Sequence, residues 1–226
     1  MKAIFYILIS ALLSFNCIAQ DCKVEDDPFT GAKTVTFDFK NKSVFYSLID
    51  GKARVETMFD KPSFKASARQ QRGIIVLDSF YEHHHFNGRV YPFNIKRKDG
   101  DALIMAVLWS EWVDKQSGEL LKTFSIVTTA GNELMSVIHN NPKKKDARMP
   151  VILEGEEIND WLGTPASDDN HLTLIPLCKP LQKDALEAHA VRTLRGKNAV
   201  GNVPTATEAF EYPELVFDTE LMEVLT

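Results

Sequence analysis

The run Ile74-Ile75-Val76-Leu77 contains no polar residue. A strand with one wet face alternates apolar and polar side chains, so a continuous apolar run marks a fully buried strand. Its neighbours supply candidates for the rest of a layered fold. Val35, Phe37 and Phe39 alternate with Thr34, Thr36, Asp38 and Lys40, the pattern of a half-buried strand. Asn41-Lys42 can turn into a second strand over residues 43–49. Tyr91 to Ile95, Leu103 to Trp109, Thr123 to Thr129 and Pro150 to Leu153 read as further strands. Asp99-Gly100 carries a hairpin signal between two of them.

Helices are few and short. Lys61-Pro62-Ser63-Phe64 opens one with proline in its first turn, and Gly73 stops it. Residues 131–138 form another, and Glu154 to Leu162 a third, closed by Gly163. An acidic tail from Pro204 onward is expected to wrap the surface. Strands and helices interleave without a βαβ rhythm. The fold class is therefore α+β, with mixed, mostly antiparallel, barrel-like sheets and short flanking helices.

Composition removes several classes. With 44% hydrophobic and 25% charged residues the chain is neither disordered throughout nor collagen nor coiled coil. Twenty-six Lys and Arg against 31 Asp and Glu leave a net charge of −5. Any contact with nucleic acid must then come from a local basic patch and not from the overall field. Three cysteines are too few for a disulfide framework or a four-Cys zinc site.

The first twenty residues stand apart. Lys2 precedes an apolar run from Ala3 to Leu13, and Ala19 follows near its end. These features suit a signal peptide cleaved near Ala19 or Gln20, and the run is short of the about 20 residues that span a membrane. The other reading is a buried first helix or strand. Phe15-Asn16 before Cys17 fits a lipoprotein signal poorly. Export would leave Cys22 and Cys178, which either pair in an oxidising compartment or play no part.

Three segments carry chemistry: Lys52 to Thr57, Ser79 to His85, and Val137 to Asn140 with Arg148 to Val151. Glu82, at the end of the buried strand, and His139, at a helix end, make a general acid/base pair if the fold joins them. Otherwise they are a surface Glu and a helix-terminal His. His83 and His85 point to one face of a strand, a spacing that suits two zinc ligands, with Glu82 and His84 on the other. A third ligand at matching spacing is missing, so no metal and no other cofactor is assigned. Lys143-Lys144-Lys145 is a solvated loop or, with Lys65, Arg69 and Arg72, one side of a phosphate-tracking groove.

Eight motifs in order carry a resemblance. They are Ala53-Arg54-Val55-Glu56-Thr57, Lys61-Pro62-Ser63-Phe64, Phe80-Tyr81-Glu82, Tyr91-Pro92-Phe93, Ala106-Val107-Leu108-Trp109, Thr123 to Ala130, Ile138-His139 and Arg148 to Leu153. Together they resemble the SOS-response-associated peptidase family, the abasic-site processing proteins, over roughly residues 50 to 215. Asn140 to Ala147 reads as a loop insertion. The resemblance implies an intracellular, monomeric protein without a stable membrane span, whose partner is single-stranded DNA containing abasic sites. It implies a leading Cys whose amine condenses with the ring-opened sugar and whose thiol closes a stable DNA–protein crosslink. The same amine-first chemistry removes the leader, which accounts for the word peptidase. Glu82 and His139 take the proton-shuttling roles. Arg54 contacts phosphate, with Lys52, Lys65, Arg69 and Arg72 as further DNA-binding candidates.

Two departures matter. The family's Asn before Ala-Arg, which holds the leading Cys, is Lys52 here. No Met is followed by Cys, and Cys22 leads only if cleavage falls after Asp21. The expected organisation is a signal-like segment over 1–20, non-family strands over 21–49 and the family domain over 50–226. Three readings stay open: a fusion at the start, an inactive relative or a non-covalent DNA binder that keeps the fold, and Cys22 acting after unusual processing. An exported metalloprotein using His83 and His85 is the remaining alternative.

Overall fold

A computed structural model describes residues 22–26, 33–39 and 42–48 as backbone, and residues 52–226 apart from 114, 117, 119, 195 and 202. The leader-like residues 1–20 lie outside the described residues. The strands are β1 (Cys22–Asp26), β2 (Lys33–Phe39), β3 (Lys42–Leu48), β4 (Ala53–Arg54), β5 (Arg72–Leu77), β6 (Ser79–Phe86), β7 (Arg89–Arg97), β8 (Leu103–Val113), β9 (Leu120–Ala130), β10 (Arg148–Pro150) and β11 (Leu186–Ala190). The helices are α1 (Pro62–Gln70), α2 (Glu133–Ile138), α3 (Glu156–Gly163), α4 (Asn170–Leu174) and α5 (Thr219–Leu225). They build a mixed α+β fold of two mostly antiparallel sheets, and among the described residues neither sheet closes into a barrel.

The large sheet runs β1-β2-β3-β9-β8-β5, with β4 and β10 also on β9. The small sheet is β11-β7-β6. Alternation across the large sheet feeds two cores. Ile75, Leu77, Met105, Val107 and Ile126 face the small sheet, α2 and α5. Ile74, Ala106, Leu108 and Val127 face the side of α1 and α3. Ile74 is buried on one face of β5 and Ile75 and Leu77 on the other, with Val76 half-buried, which is why residues 74–77 have no polar alternate.

Three expectations are corrected. The Asp99-Gly100 turn does not close a hairpin, because β7 pairs with β6 and β11 while β8 pairs with β5 and β9. It is a corner handing the chain between sheets. Arg97 fixes that corner with bonds from Nε to Asp99 Oδ1 (2.9 Å) and from Nη1 to Glu154 Oε1 (2.6 Å). The true hairpin joins β6 to β7 through Asn87-Gly88, where both residues have positive φ (48° and 75°). Residues from Ser79 on are likewise not the end of the buried strand: Asp78 separates them into β6, in the other sheet.

The tail is the third correction. Leu215, Leu221 and Val224 are buried in the main core and do not skim the surface. A buried histidine anchors them. His84 Nδ1 donates to Val137 O (3.0 Å), and its Nε2 meets Asp218 Oδ2 (2.8 Å). Asp218 Oδ1 also accepts from Leu221 N–H (3.0 Å), capping α5.

Cys178 is a free cysteine in the α1–α3 core, its thiol donating to Leu174 O (3.3 Å). Burial, and secondarily Glu157, pushes its pKa up from 9.0 to about 12. Native protein should therefore resist alkylation at Cys178 and react on unfolding, a difference that peptide mapping reads. The sign of the pH effect follows. Above pH 9 the unfolded thiol releases a proton that the folded one keeps until about 12, so rising pH favours unfolding there. Denaturant midpoints should fall less between neutral and alkaline pH in Cys178→Ala than in the parent.

Candidate active site

Glu82 sits mid-strand in β6, paired with Phe93, and is almost wholly buried. One carboxylate oxygen, Oε1, accepts the His83 backbone N–H (2.9 Å). The other, Oε2, lies 3.7 Å from His139 Nδ1. The fold thus brings together two residues from distant parts of the chain. His139 arrives as the residue capping α2, its N–H donating to Met135 O (2.8 Å). Asn132 opens the same helix, its side chain accepting from Met135 N–H (2.9 Å).

The main chain of Arg148 fixes the imidazole. His139 Nδ1 stands 2.9 Å from Arg148 O and 3.2 Å from Arg148 N. In one tautomer it donates to the carbonyl; in the other it accepts from the amide. A group that can take or give a proton at one atom, facing a carboxylate, is equipped for proton transfer. Asn140 adds a second tie: its Oδ1 accepts from His85 N–H (2.7 Å) and its Nδ2 donates to His85 O (3.0 Å), extending the edge of β6.

The Arg148 side chain works in the opposite direction. It grips Glu56 in a fork, Nη1–Oε1 2.5 Å and Nη2–Oε2 2.9 Å, and reaches Thr128 O (2.6 Å). The bond to Arg148, ahead of the charge of Arg54, holds the Glu56 carboxyl below its usual range. Residues 148–153 wedge between β8 and β9. Val151 N–H donates to Val127 O, and Ala106 N–H donates to Val151 O (both 2.9 Å). The strand expected over Pro150 to Leu153 is displaced: the ladder covers Arg148–Pro150, and the chain then crosses to β8 through the single Met105–Ile152 bridge.

Two cavities meet at Glu82. A water-sized one of about 20 Å³ is lined by Lys52, Tyr81, Glu82, Thr128 and Arg148 among others. Burial raises the pKa of Tyr81 there, keeping the phenol protonated. An open cleft of about 520 Å³ is lined by Lys52, Glu82, His83, His85, His139 and Lys144, among others. Lys52 and Glu82 form the wall common to both. Burial, then the neighbouring His84, lowers the pKa of His85. Among the described residues no three His, Cys, Asp or Glu side chains are placed to hold a metal.

The basic candidates separate. Arg54 is exposed on β4 beside Thr128, and Lys65 is exposed on α1. Arg69 is half-buried and pairs with Asp168 (2.9 Å). Arg72 is spent on the protein itself. Its Nε donates to Trp161 O (2.7 Å), Nη1 to Ala68 O (3.1 Å) and Arg69 O (2.6 Å), and Nη2 to Thr164 O. It is a joint between α1 and α3. Cys22 opens β1, the outermost strand of the large sheet, three strands from β9.

A family model described as "SOS response associated peptidase (SRAP)" matches residues 35–198. The chain belongs to this family. Among relatives of the SRAP domain, the abasic site processing protein YoqW of Bacillus subtilis is 36% identical over 156 residues. That alignment covers 69% of this chain and 64% of the Bacillus protein. The abasic site processing protein HMCES of Gallus gallus is 31% identical over 129 residues, covering 48% of this chain and 36% of that one. A crystal structure of a protein from Bacteroides thetaiotaomicron superposes with a TM-score of 0.61 at 32% identity, covering 71% of this chain and 66% of that one. The chain therefore spans about two thirds of these bacterial relatives.

Glu82 and His139 are legible in the sequence as site residues, whereas Arg148 is not. Its signal was present in the Arg148-Met149-Pro150 motif, although no spacing rule reveals that its main chain would hold the His139 ring.

Proposed function

We propose that this SRAP chain processes abasic sites in single-stranded DNA, with Glu82 and His139 moving the protons of sugar opening and amine condensation. The 3.7 Å approach of Glu82 Oε2 to His139 Nδ1 at a cleft carries the reading. Relatives named as abasic site processing proteins support it. Arg54 and Lys65 contact phosphate, Arg69 contributes from α1, and Lys144 lines the cleft. Arg72, bonded to four carbonyls, stays out of the DNA interface.

Lys52 stands where the family pattern has the Asn that holds the leading Cys, so the thiol-closed crosslink should form weakly or not at all. A heat-stable adduct that disappears in Cys22→Ala would contradict this.

Binding tests the interface. Affinity for an abasic single-stranded oligonucleotide should fall with salt, each phosphate contact adding about 0.7 to the log–log slope. Arg54→Ala should reduce the slope by about one such contact, and Arg72→Ala should leave it unchanged. Salt-indifferent binding removes the proposal.

A further inference from the structure

Lys52 is the lysine that lines both cavities at Glu82, whereas the exposed Lys144 lines the open cleft alone. Arg148 is held by Glu56 and Thr128, Arg69 by Asp168, and Arg72 by four carbonyls. Lys52, by contrast, is exposed on the wall where both cavities meet, beside Glu82. An amine lining the same cleft as a carboxylate, an imidazole and a further lysine is the equipment of imine chemistry on an aldehyde attached to phosphates.

We propose that Lys52 is the amine that captures the abasic-site aldehyde in this chain and that it acts as a lyase nucleophile. The inference rests on the DNA substrate proposed above. An Nζ lone pair, freed as an ammonium proton passes to Glu82 or solvent, bonds to C1′ as the carbonyl π pair moves onto oxygen. An N–H proton passes to that oxygen through Glu82 or His139, giving a carbinolamine. Loss of water leaves the imine, so amine plus aldehyde becomes imine plus water. Protonated at nitrogen, the imine acidifies the C2′–H bond. The Glu82 carboxylate takes that proton, the C–H pair forms the C2′–C3′ double bond, and the C3′–O bond breaks with its pair on the departing phosphate. Water then hydrolyses the unsaturated imine and returns the Lys52 amine. The product is a cut strand with no lasting crosslink.

The test uses the full chain, a single-stranded oligonucleotide with one abasic site, and sodium borohydride to reduce the imine to a stable amine. The expected result is a borohydride-dependent adduct that peptide mass spectrometry places on Lys52. Without borohydride the strand should be cut. Lys52→Arg keeps the positive charge, so it should bind with similar anisotropy while adduct and cutting fall to background. Adduct on the α-amine or on another lysine, or undiminished trapping by Lys52→Arg, overturns the assignment. Binding without any trapping removes Lys52 alone. Failure to bind removes the functional reading and Lys52 with it.

Discussion

Glu82→Gln is expected to slow conversion of an abasic oligonucleotide by roughly 10²–10⁴-fold while leaving the unfolding transition close to that of the parent. Glutamine keeps the shape, and its amide oxygen can still accept the His83 N–H that Glu82 Oε1 accepts. What it loses is the ability to take a proton from His139 or from substrate. His139→Ala should fall in the same range. The double variant separates two explanations. If the carboxylate and imidazole act as one proton-transfer unit, it should be scarcely slower than either single variant. Multiplying effects would mean that they act independently and would remove the pair from the mechanism. Unchanged turnover in Glu82→Gln would reduce the 3.7 Å contact to a structural one.

The sequence was most informative where burial is uniform. Ile74 to Leu77 need no context, since a segment with buried residues on both faces leaves no place for a polar alternate. Asp99-Gly100 misled because turn residues report the local backbone and not the partner across it. There the chain turns through Gly100 at φ 83° and enters a different sheet, with Arg97 closing the corner through contacts to Asp99 and the distant Glu154. Asn87-Gly88 carried the equally strong signal that the structure uses. The tail was read as surface because its six acids dominate it. Leu215, Leu221 and Val224 nevertheless find a core that no local pattern announces. The site divides the same way. Glu82 and His139 are individually conspicuous as an acid/base pair, but only on the condition that the fold joins them, because a long-range approach leaves no trace in spacing. Arg72 shows the converse: a cation next to a helix looked ready for phosphate, yet its neighbours in space are carbonyl oxygens.

Trp161→Ala should lower stability by about 3–5 kcal/mol. Trp161 is fully buried in the α1–α3 core, and its Nε1 donates to Gly73 O (2.9 Å). Its own carbonyl accepts from Arg72 Nε (2.7 Å), and the Arg72 guanidinium lies 5.9 Å from the ring centroid. One residue thereby joins α3, the start of β5 and the cation that closes α1. Two losses can be told apart. Trp161→Phe keeps most of the buried area and removes the indole donor from the Gly73 carbonyl, which stays in the β5–β8 ladder opposite Val107, so it should cost about 0.5–1.5 kcal/mol. The remainder of the alanine effect is cavity and lost packing. Urea denaturation of both variants measures the split, and equal costs would place the whole effect in the hydrogen bond. Trp161 lines neither cavity at Glu82. Below the unfolding transition its variants should therefore convert substrate at the parent rate, the reverse of Glu82→Gln, where the chemistry fails and the fold persists. A Trp161 variant that is fully folded yet inactive would show that the α1–α3 core positions the site, and would require the separation between the two cores to be redrawn.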